Sequence, residues 1–144
     1  MSEEENRRLI EEQLAAINAH DLDRYVKAFA DSYVGESDAF PVPTRGPEGV
    51  RQTTGIYLRA FPDLHLEAEE IIASGDHVIV RWRASGTHKG EYNGIQPTNK
   101  KVNARGCTVN EVKNGRVVRS AIYSDQLAVL GQLGVFATKS AATR

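Results

Sequence analysis

The sequence contains a single cysteine, Cys107, and so cannot form an intramolecular disulfide. No C-x-x-C pair accompanies this thiol, and zinc binding or dithiol redox chemistry is not indicated. The N-terminal residues are acidic and lack the apolar segment of a secretory signal. Because disulfide-free chains are typical of reducing compartments, we expect a cytoplasmic protein.

An excess of charge of either sign is also missing. Eighteen Lys and Arg residues are balanced by nineteen Asp and Glu residues, and the two signs are interleaved along the chain. Nucleic-acid binding normally needs a basic surface that neutralises phosphates, so we expect no nucleic-acid partner. No apolar run reaches the length of a membrane span, and no membrane partner is expected.

Several motifs of catalysis and metal binding are absent. The chain has no G-x-S-x-G, H-E-x-x-H, Walker or Rossmann glycine motif, which argues against triad and nucleotide-dependent mechanisms. The histidines lack the close spacing of metal ligands, and we predict no metal site. They are His20, His65, His77 and His88.

The residues that are present indicate one α+β domain. The length of 144 residues and the 40% hydrophobic content suit a single buried core. Helical spacing predicts a helix from Glu3 to Ala19, a second from Leu22 that includes Phe29, and a third between Arg45 and Pro62. The stretch from Ser32 to Glu36 is a candidate short strand.

Beyond Pro62 the apolar period changes to two, which predicts strands. A short final helix follows from Gln126 and stops at Gly134. We expect one domain over residues 1–134, with a polar tail over residues 135–144. Three helices covering one face of a twisted antiparallel sheet curl it into a cone with a pocket at its open end. The predicted strands are Leu64 to Ala73, His77 to His88, Lys101 to Lys113 and Arg116 to Ser124.

Asp125 is the carboxylate of most interest for catalysis. Asn114-Gly115 is a preferred two-residue hairpin turn, and counting outward from it pairs Ala104 with Asp125. This register places Asp125 on a sheet face with Tyr123 and opposite small residues. A carboxyl group desolvated in such a space has the raised pKa that suits acid/base catalysis. Alternatively, Asp125 is simply the N-cap of the last helix.

The remaining candidate site residues are a histidine and a set of pocket-lining side chains. His88 ends an apolar strand row, where it could donate a hydrogen bond to a substrate carbonyl or merely bond to a loop. Aromatic residues can wall a pocket for a flat ligand, although most of them could equally be core. The predicted pocket residues are Tyr33, Phe40, Tyr57, Trp82, Gly106, Thr108 and Tyr123.

Three stretches together resemble the SnoaL-like polyketide cyclase family. They are residues 61–64 (FPDL), residues 86–98 with the motif GTHKG, and residues 114–134, from NGRVV through Asp125 to LGQLG. The resemblance implies the cone-shaped α+β barrel of nuclear transport factor 2 and ketosteroid isomerase. It further implies cofactor-free intramolecular aldol condensation of a polycarbonyl polyketide ester, with Asp125 as the acid/base.

Two departures from the family pattern bear on the substrate. Arg119 and Ala121 replace an acidic residue and a tryptophan found in many relatives, and Asn99 replaces a glycine. Other hypotheses therefore stay open: a non-catalytic binder of an apolar ligand, or an acid/base reaction of the isomerase or epoxide hydrolase type. A homodimer or homotetramer could cover the outer sheet face, on which we place Arg81, Arg83, Arg105 and Cys107.

Overall fold

The computed structural model describes residues 2–136 and confirms the α+β class. Six strands form one open sheet in the order β2-β1-β6-β5-β4-β3. β1 and β6 are parallel, and the other neighbours are antiparallel. The elements are α1 (Glu3–Asn18), α2 (Leu22–Val26), β1 (Phe29–Ser37), β2 (Thr44–Arg45), α3 (Gly46–Ala60), β3 (His65–Ser74), β4 (His77–Thr87), β5 (Lys101–Lys113), β6 (Arg116–Ser124) and α4 (Gln126–Gln132).

Local sequence signals account for the helix boundaries. Ser2 and Glu5 form a reciprocal capping box at the start of α1, and the Asp21 side chain accepts from the Arg24 amide at the start of α2. Pro47 lies in the first turn of α3, where its missing N–H costs nothing. α4 ends before Gly134, which adopts a positive φ of 89°.

The second helix is shorter than its apolar spacing predicts. α2 ends at Val26, and Phe29 instead begins β1, where it pairs with Val117. Its ring packs between Tyr25 and Tyr33 at centroid distances of 5.3 and 4.7 Å. The helical spacing of apolar residues continues to Phe29 by coincidence. The strand partner and the aromatic contacts of Phe29 therefore place it in β1 instead of α2.

A β-bulge shifts the hairpin register that was predicted from the turn. Lys113 does pair with Arg116 across Asn114-Gly115, but Val112 pairs with Val117 and Glu111 pairs with Arg119. Val118 is therefore an extra residue, and each later residue of β6 changes face. Gly106 consequently pairs with Ser124, and the predicted pairing of Ala104 with Asp125 is wrong.

The core consists of two clusters of buried side chains. One lies among α1, α2, β1 and the central strands and includes Ile10, Phe29 and Val80. The other lies among the end of α3, β5 and α4 and includes Phe61 and Val129. No described helix combines the length and the hydropathy needed to cross a bilayer. Of the predicted polar tail, residues 137–144 lie outside the described residues.

Candidate functional site

The helices and the inner face of the sheet enclose a cavity of about 240 Å³. Members of both core clusters line it, together with polar side chains from β1, β5, β6 and α4. Eight aromatic residues contribute to the wall, which gives a flat ligand extensive apolar surface. They are Tyr25, Phe29, Tyr33, Phe40, Tyr57, Phe61, Trp82 and Tyr92.

The cavity wall is electrically neutral. Among the described lining residues there is no Asp, Glu, His, Lys, Arg or Cys. Burial raises the pKa of Tyr25, Tyr33, Tyr57 and Tyr92, so these phenols stay protonated near neutral pH. The cavity can therefore offer hydrogen-bond donors and acceptors to a ligand, but none of the described lining residues is a charged partner.

Trp82 forms a rigid part of the wall. Its indole Nε1 donates to the Thr108 hydroxyl at 2.9 Å. Trp82, Gly106 and Ser124 lie in one row across three neighbouring strands. A Cβ at Gly106 would clash with Cζ2 of Trp82, so the indole in this position needs glycine there. Gly106 itself is outside the cavity lining, but it makes room for the ring that forms the wall.

A chain of hydrogen bonds crosses one end of the cavity. Tyr57 bonds to the hydroxyl of Tyr92, whose own O–H donates to Gln126 Oε1 at 3.2 Å. The amide Nε2 of Gln126 then donates to Ser124 Oγ at 2.8 Å. All four residues line the cavity, and they come from four different segments of the chain.

A second polar group lies deeper, next to the first core cluster. Ser120 donates to Asn110 Oδ1 at 2.8 Å, and Asn110 Nδ2 donates to the Val78 carbonyl at 3.3 Å. The hydroxyl of Tyr33 bonds to Ser120. These buried polar atoms satisfy one another, which explains how they are tolerated within the core.

Asp125 lies outside the cavity lining. The residue is exposed, and its Oδ1 accepts from the Ala128 amide at 2.9 Å as the N-cap of α4. The prediction that it shares the face of Gly106 and Thr108 is wrong, because the bulge at Val118 brings Ser120, Ile122 and Ser124 to that face. Its role as an acid/base stays a prediction, and the geometry of the cavity lends it no support.

His88 is completely buried, also away from the cavity lining. Its Nδ1 accepts from the Thr98 amide at 3.2 Å and contacts the Thr98 hydroxyl at 3.0 Å. The ring packs on Phe61 at a centroid distance of 5.6 Å, and its Nε2 has no hydrogen-bond partner among the described residues. In this position His88 tethers the loop between β4 and β5.

The predicted pocket residues divide into two groups. Tyr33, Phe40, Tyr57, Trp82 and Thr108 all line the cavity, whereas Gly106 does not. Tyr123 is 56% exposed and borders a second cleft, which is lined by residues 36–38, 40–43 and 121–123.

Three members of the hydrogen-bond chain line the cavity but were not among the predicted pocket residues: Tyr92, Ser124 and Gln126. Tyr92 lies in a Gly-rich connection that carries no periodic signal. Ser124 and Gln126 flank Asp125, and could be found only once the bulge was known.

The outer face of the sheet differs in chemistry from the cavity. Arg81 contacts Glu69 and Glu70 at 3.1 and 3.3 Å, and Arg83 contacts Glu69 at 3.1 Å. These ion pairs are solvent-exposed and contribute little to stability. An oligomer interface on this face stays a prediction.

Within residues 2–136, no group of three or more His, Cys, Asp or Glu side chains is arranged to hold a metal ion.

Comparisons with known proteins identify a family. The family model described as SnoaL-like polyketide cyclase matches residues 7–133. AclR from Streptomyces galilaeus, which carries a proposed hydroxylase assignment, is 31% identical with a TM-score of 0.81, over 92% of this chain and 87% of that one. IdmH from Streptomyces antibioticus, proposed to be a polyketide cyclase, is 28% identical with a TM-score of 0.78, over 90% and 98%.

A third structure shows only the fold. An NTF2-like protein from Burkholderia xenovorans LB400 is 19% identical with a TM-score of 0.73, over 92% of this chain and 98% of that one. No curated protein sequence matches the chain.

Proposed function

The chain belongs to the SnoaL-like polyketide cyclase family, and on that premise we propose that it binds a neutral, flat molecule with several carbonyl groups and promotes ring closure within it. The observation that carries the proposal is the neutral cavity, walled by aromatic rings and supplied with hydroxyl and amide hydrogen-bonding groups. Aromatic walls bind flat ring systems, and neutral donors suit carbonyl oxygens.

The reaction that the family suggests is an intramolecular aldol condensation. The carbon between two carbonyl groups passes its proton to a neighbouring carbonyl oxygen of the same molecule, which gives an enol. The enol carbon attacks a ketone of that molecule, and the enol hydroxyl proton passes to the new alkoxide as the C=O group re-forms. The cavity supports this reaction by holding the two reacting carbons together and by hydrogen bonding to the carbonyl oxygens. No metal or organic cofactor is part of the proposal.

Proton transfer by Asp125 is a separable part of this hypothesis. A carboxylate that caps an exposed helix end would reach a ligand only if the start of α4 moved. The protonated tyrosines of the cavity can polarise a carbonyl but are poor bases at neutral pH. The geometry therefore favours catalysis by positioning and hydrogen bonding over catalysis by a carboxylate.

A pair of ligands that differ only in charge tests the binding step. Trp82 is the only tryptophan of the chain and lines the cavity, so its fluorescence reports a bound aromatic molecule. The methyl ester of anthraquinone carboxylic acid should quench Trp82 and bind at least about tenfold more tightly than the free acid, because the buried carboxylate would lack a cation. Equal binding of the acid, or no quenching by the ester, would contradict the proposal.

Two other functions have specific support. The absence of ionisable residues other than tyrosine from the described cavity lining favours a binder that performs no chemistry. The 31% identity to AclR favours a hydroxylase. An isomerase or epoxide hydrolase acting on a substrate that does not enolise readily would need an acid/base group, and the described lining does not supply one.

Mass spectrometry of the products separates these candidates. A flat polycarbonyl substrate should yield an isomer or a dehydrated ring under the cyclase hypothesis, a product with one more oxygen atom under the hydroxylase hypothesis, and unchanged ligand under the binder hypothesis.

A further inference from the structure

The hydrogen-bond chain Tyr57–Tyr92–Gln126–Ser124 has a single direction. Gln126 Oε1 can only accept, so the hydrogen of Tyr92 is used in that bond. Tyr57 must then donate to Tyr92. The Tyr92 contact accordingly raises the pKa of Tyr57, after the larger effect of burial, and the same bond acts to lower the pKa of Tyr92.

At the end of this hydrogen-bond chain, the hydroxyl hydrogen of Ser124 remains free to be donated. Ser124 Oγ accepts from Gln126 Nε2, so its own O–H hydrogen has no acceptor among the described residues. Ser124 lines the cavity, and a ligand oxygen is the acceptor that could take this hydrogen. Successive hydrogen bonds polarise one another, so a donor at the end of such a chain is stronger than an isolated hydroxyl.

The surroundings of Ser124 favour an acceptor on a flat ring system. Ser124 pairs with Gly106, and the indole of Trp82 lies against this glycine from the next strand. The bond to Thr108 fixes the plane of the indole. A flat ligand that stacks on the indole therefore has its edge near the Ser124 hydroxyl.

The start of α4 holds this arrangement in place. Gln126 is the first residue of α4, directly after the N-cap Asp125. At the other end of the helix, Gln132 exchanges two hydrogen bonds of 2.7 Å with the backbone of Asn103 in β5. With both ends anchored, the Gln126 amide is constrained between Tyr92 and Ser124.

We propose that Ser124 is the residue that binds and polarises a carbonyl oxygen of the ligand, and that Gln126 is a positioning residue acting through Ser124. This inference rests on the proposed function, because it assumes that a neutral carbonyl compound occupies the cavity. Neither residue acts as a base, and the Ser124 hydrogen remains on its oxygen throughout.

The test uses fluorenone, a neutral flat ketone, and measures two independent quantities. Quenching of Trp82 fluorescence reports binding, and difference infrared spectroscopy with an isotope-labelled carbonyl reports the C=O stretching frequency of the bound ketone. A hydrogen bond lowers that frequency, so Ser124→Ala should raise it towards the value for a dry apolar solvent. Ser124→Thr, which keeps a hydroxyl, should restore the lower frequency.

The other variants test the chain behind Ser124. Gln126→Leu should raise the frequency less than Ser124→Ala, and Tyr92→Phe should raise it less again, because each removes a more distant member of the chain. The matched control is Ser37→Ala, since Ser37 also lines the cavity but lies outside the chain. Its bound ketone should show the same frequency as that of the unaltered protein.

The outcomes distinguish the two proposals. If fluorenone binds but its frequency is the same with and without the Ser124 hydroxyl, or responds to Ser37 instead, the role of Ser124 is overturned and the proposed function stands. If fluorenone fails to quench Trp82 in the unaltered protein, the proposed function and the role of Ser124 fail together.

Discussion

The two faces of the sheet have opposite chemistry although the same strands build them. The inner face borders a cavity, and the described residues that line this cavity carry no charge. The outer face carries ion pairs such as those of Arg81 with Glu69 and Glu70. In β6 the bulge at Val118 decides which residues belong to each face. Asp125 lies outside the cavity lining because of this bulge, so its role depends on the sheet face that it occupies as well as on its carboxylate.

A charge placed on the inner face should have the largest effect on stability. Ser120→Asp puts a carboxylate at a site only 5% exposed, and we expect a loss of about 3 kcal/mol or more in the free energy of unfolding at neutral pH. Burial raises the pKa of such a group above its unfolded value, so stability should return as the pH falls. Chemical denaturation across pH measures this loss.

The matched control for this charge is Ala121→Asp, which places the same carboxylate on the outer face one residue later. Its effect should be small at every pH. A similar loss from both variants would mean that the two faces do not differ as described.

A smaller change tests the wall of the cavity. Gly106→Ala brings a Cβ within 2.5 Å of two Trp82 ring atoms and 2.6 Å from the Tyr123 carbonyl oxygen. Overpacking of this kind should cost about 1–3 kcal/mol, and ligand quenching of Trp82 should weaken as the indole shifts. Urea denaturation and fluorescence titration measure the two effects.

Gly131→Ala is the control for this substitution. Gly131 lies within α4, and a Cβ there meets no atom within 4 Å. Alanine should stabilise the helix by up to about 1 kcal/mol. Equal destabilisation by the two alanines would contradict the account of the wall.

Two substitutions of Asp125 distinguish helix capping from catalysis. Asn caps a helix as well as Asp does, whereas Ala does not, so Asp125→Ala should cost about 1 kcal/mol and Asp125→Asn much less. If Asp125 only caps α4, the Asn variant keeps both ligand binding and turnover. Loss of turnover in Asp125→Asn with binding intact would instead support the carboxylate as the acid/base.

The smallest expected effect on stability comes from the exposed residue Asp63, just before β3. Asp63 accepts hydrogen bonds from the amide and the hydroxyl of Thr87, both at 2.7 Å, and these bonds lower its pKa. The stabilisation is present above the unfolded carboxyl pKa and is lost as the pH falls through the lowered folded value. Asp63→Asn should therefore reduce Tm slightly at neutral pH and not in strong acid.

Asp38→Asn makes the same change in charge at another exposed carboxyl and serves as the control. Thermal unfolding from neutral to acidic pH should show a pH-dependent difference for Asp63→Asn alone. An equal difference for both variants would assign the effect to net charge.

Much of the fold could be predicted because its signals are local. Asp21 and Pro47 mark helix starts, and Asn114 and Gly115 adopt the positive φ values of 52° and 74° that their turn requires. Period-two stretches placed the four strands after Pro62 within one residue of their observed ends. Phe29 was assigned to a helix because its spacing fits one, and the contact that decides otherwise comes from β6.

The candidate site was less accessible than the fold. Trp82 was expected at the cavity because it is an aromatic residue on an apolar strand face, and Tyr57 because it is an aromatic residue of the third helix whose hydroxyl needs a partner. For Asp125 and His88 the residue pattern allowed both a chemical and a structural role, and the structure shows the contacts of the structural one, a helix cap and a loop tether. A single carboxylate or imidazole gives no sign of its surroundings, because burial and hydrogen bonding depend on partners far away in the chain.

The sequence by itself determined the succession of helices and strands, the turn at Asn114-Gly115 and the family, since all of these depend on residues close together along the chain. Only the tertiary structure decided which side chains meet in the cavity. One extra residue in β6 exchanges the faces of Ser124 and Asp125, and residues 57, 92, 124 and 126 form one hydrogen-bond chain only after four segments have packed. The physical reason is that strand pairing and packing over long sequence distances set the direction of each side chain.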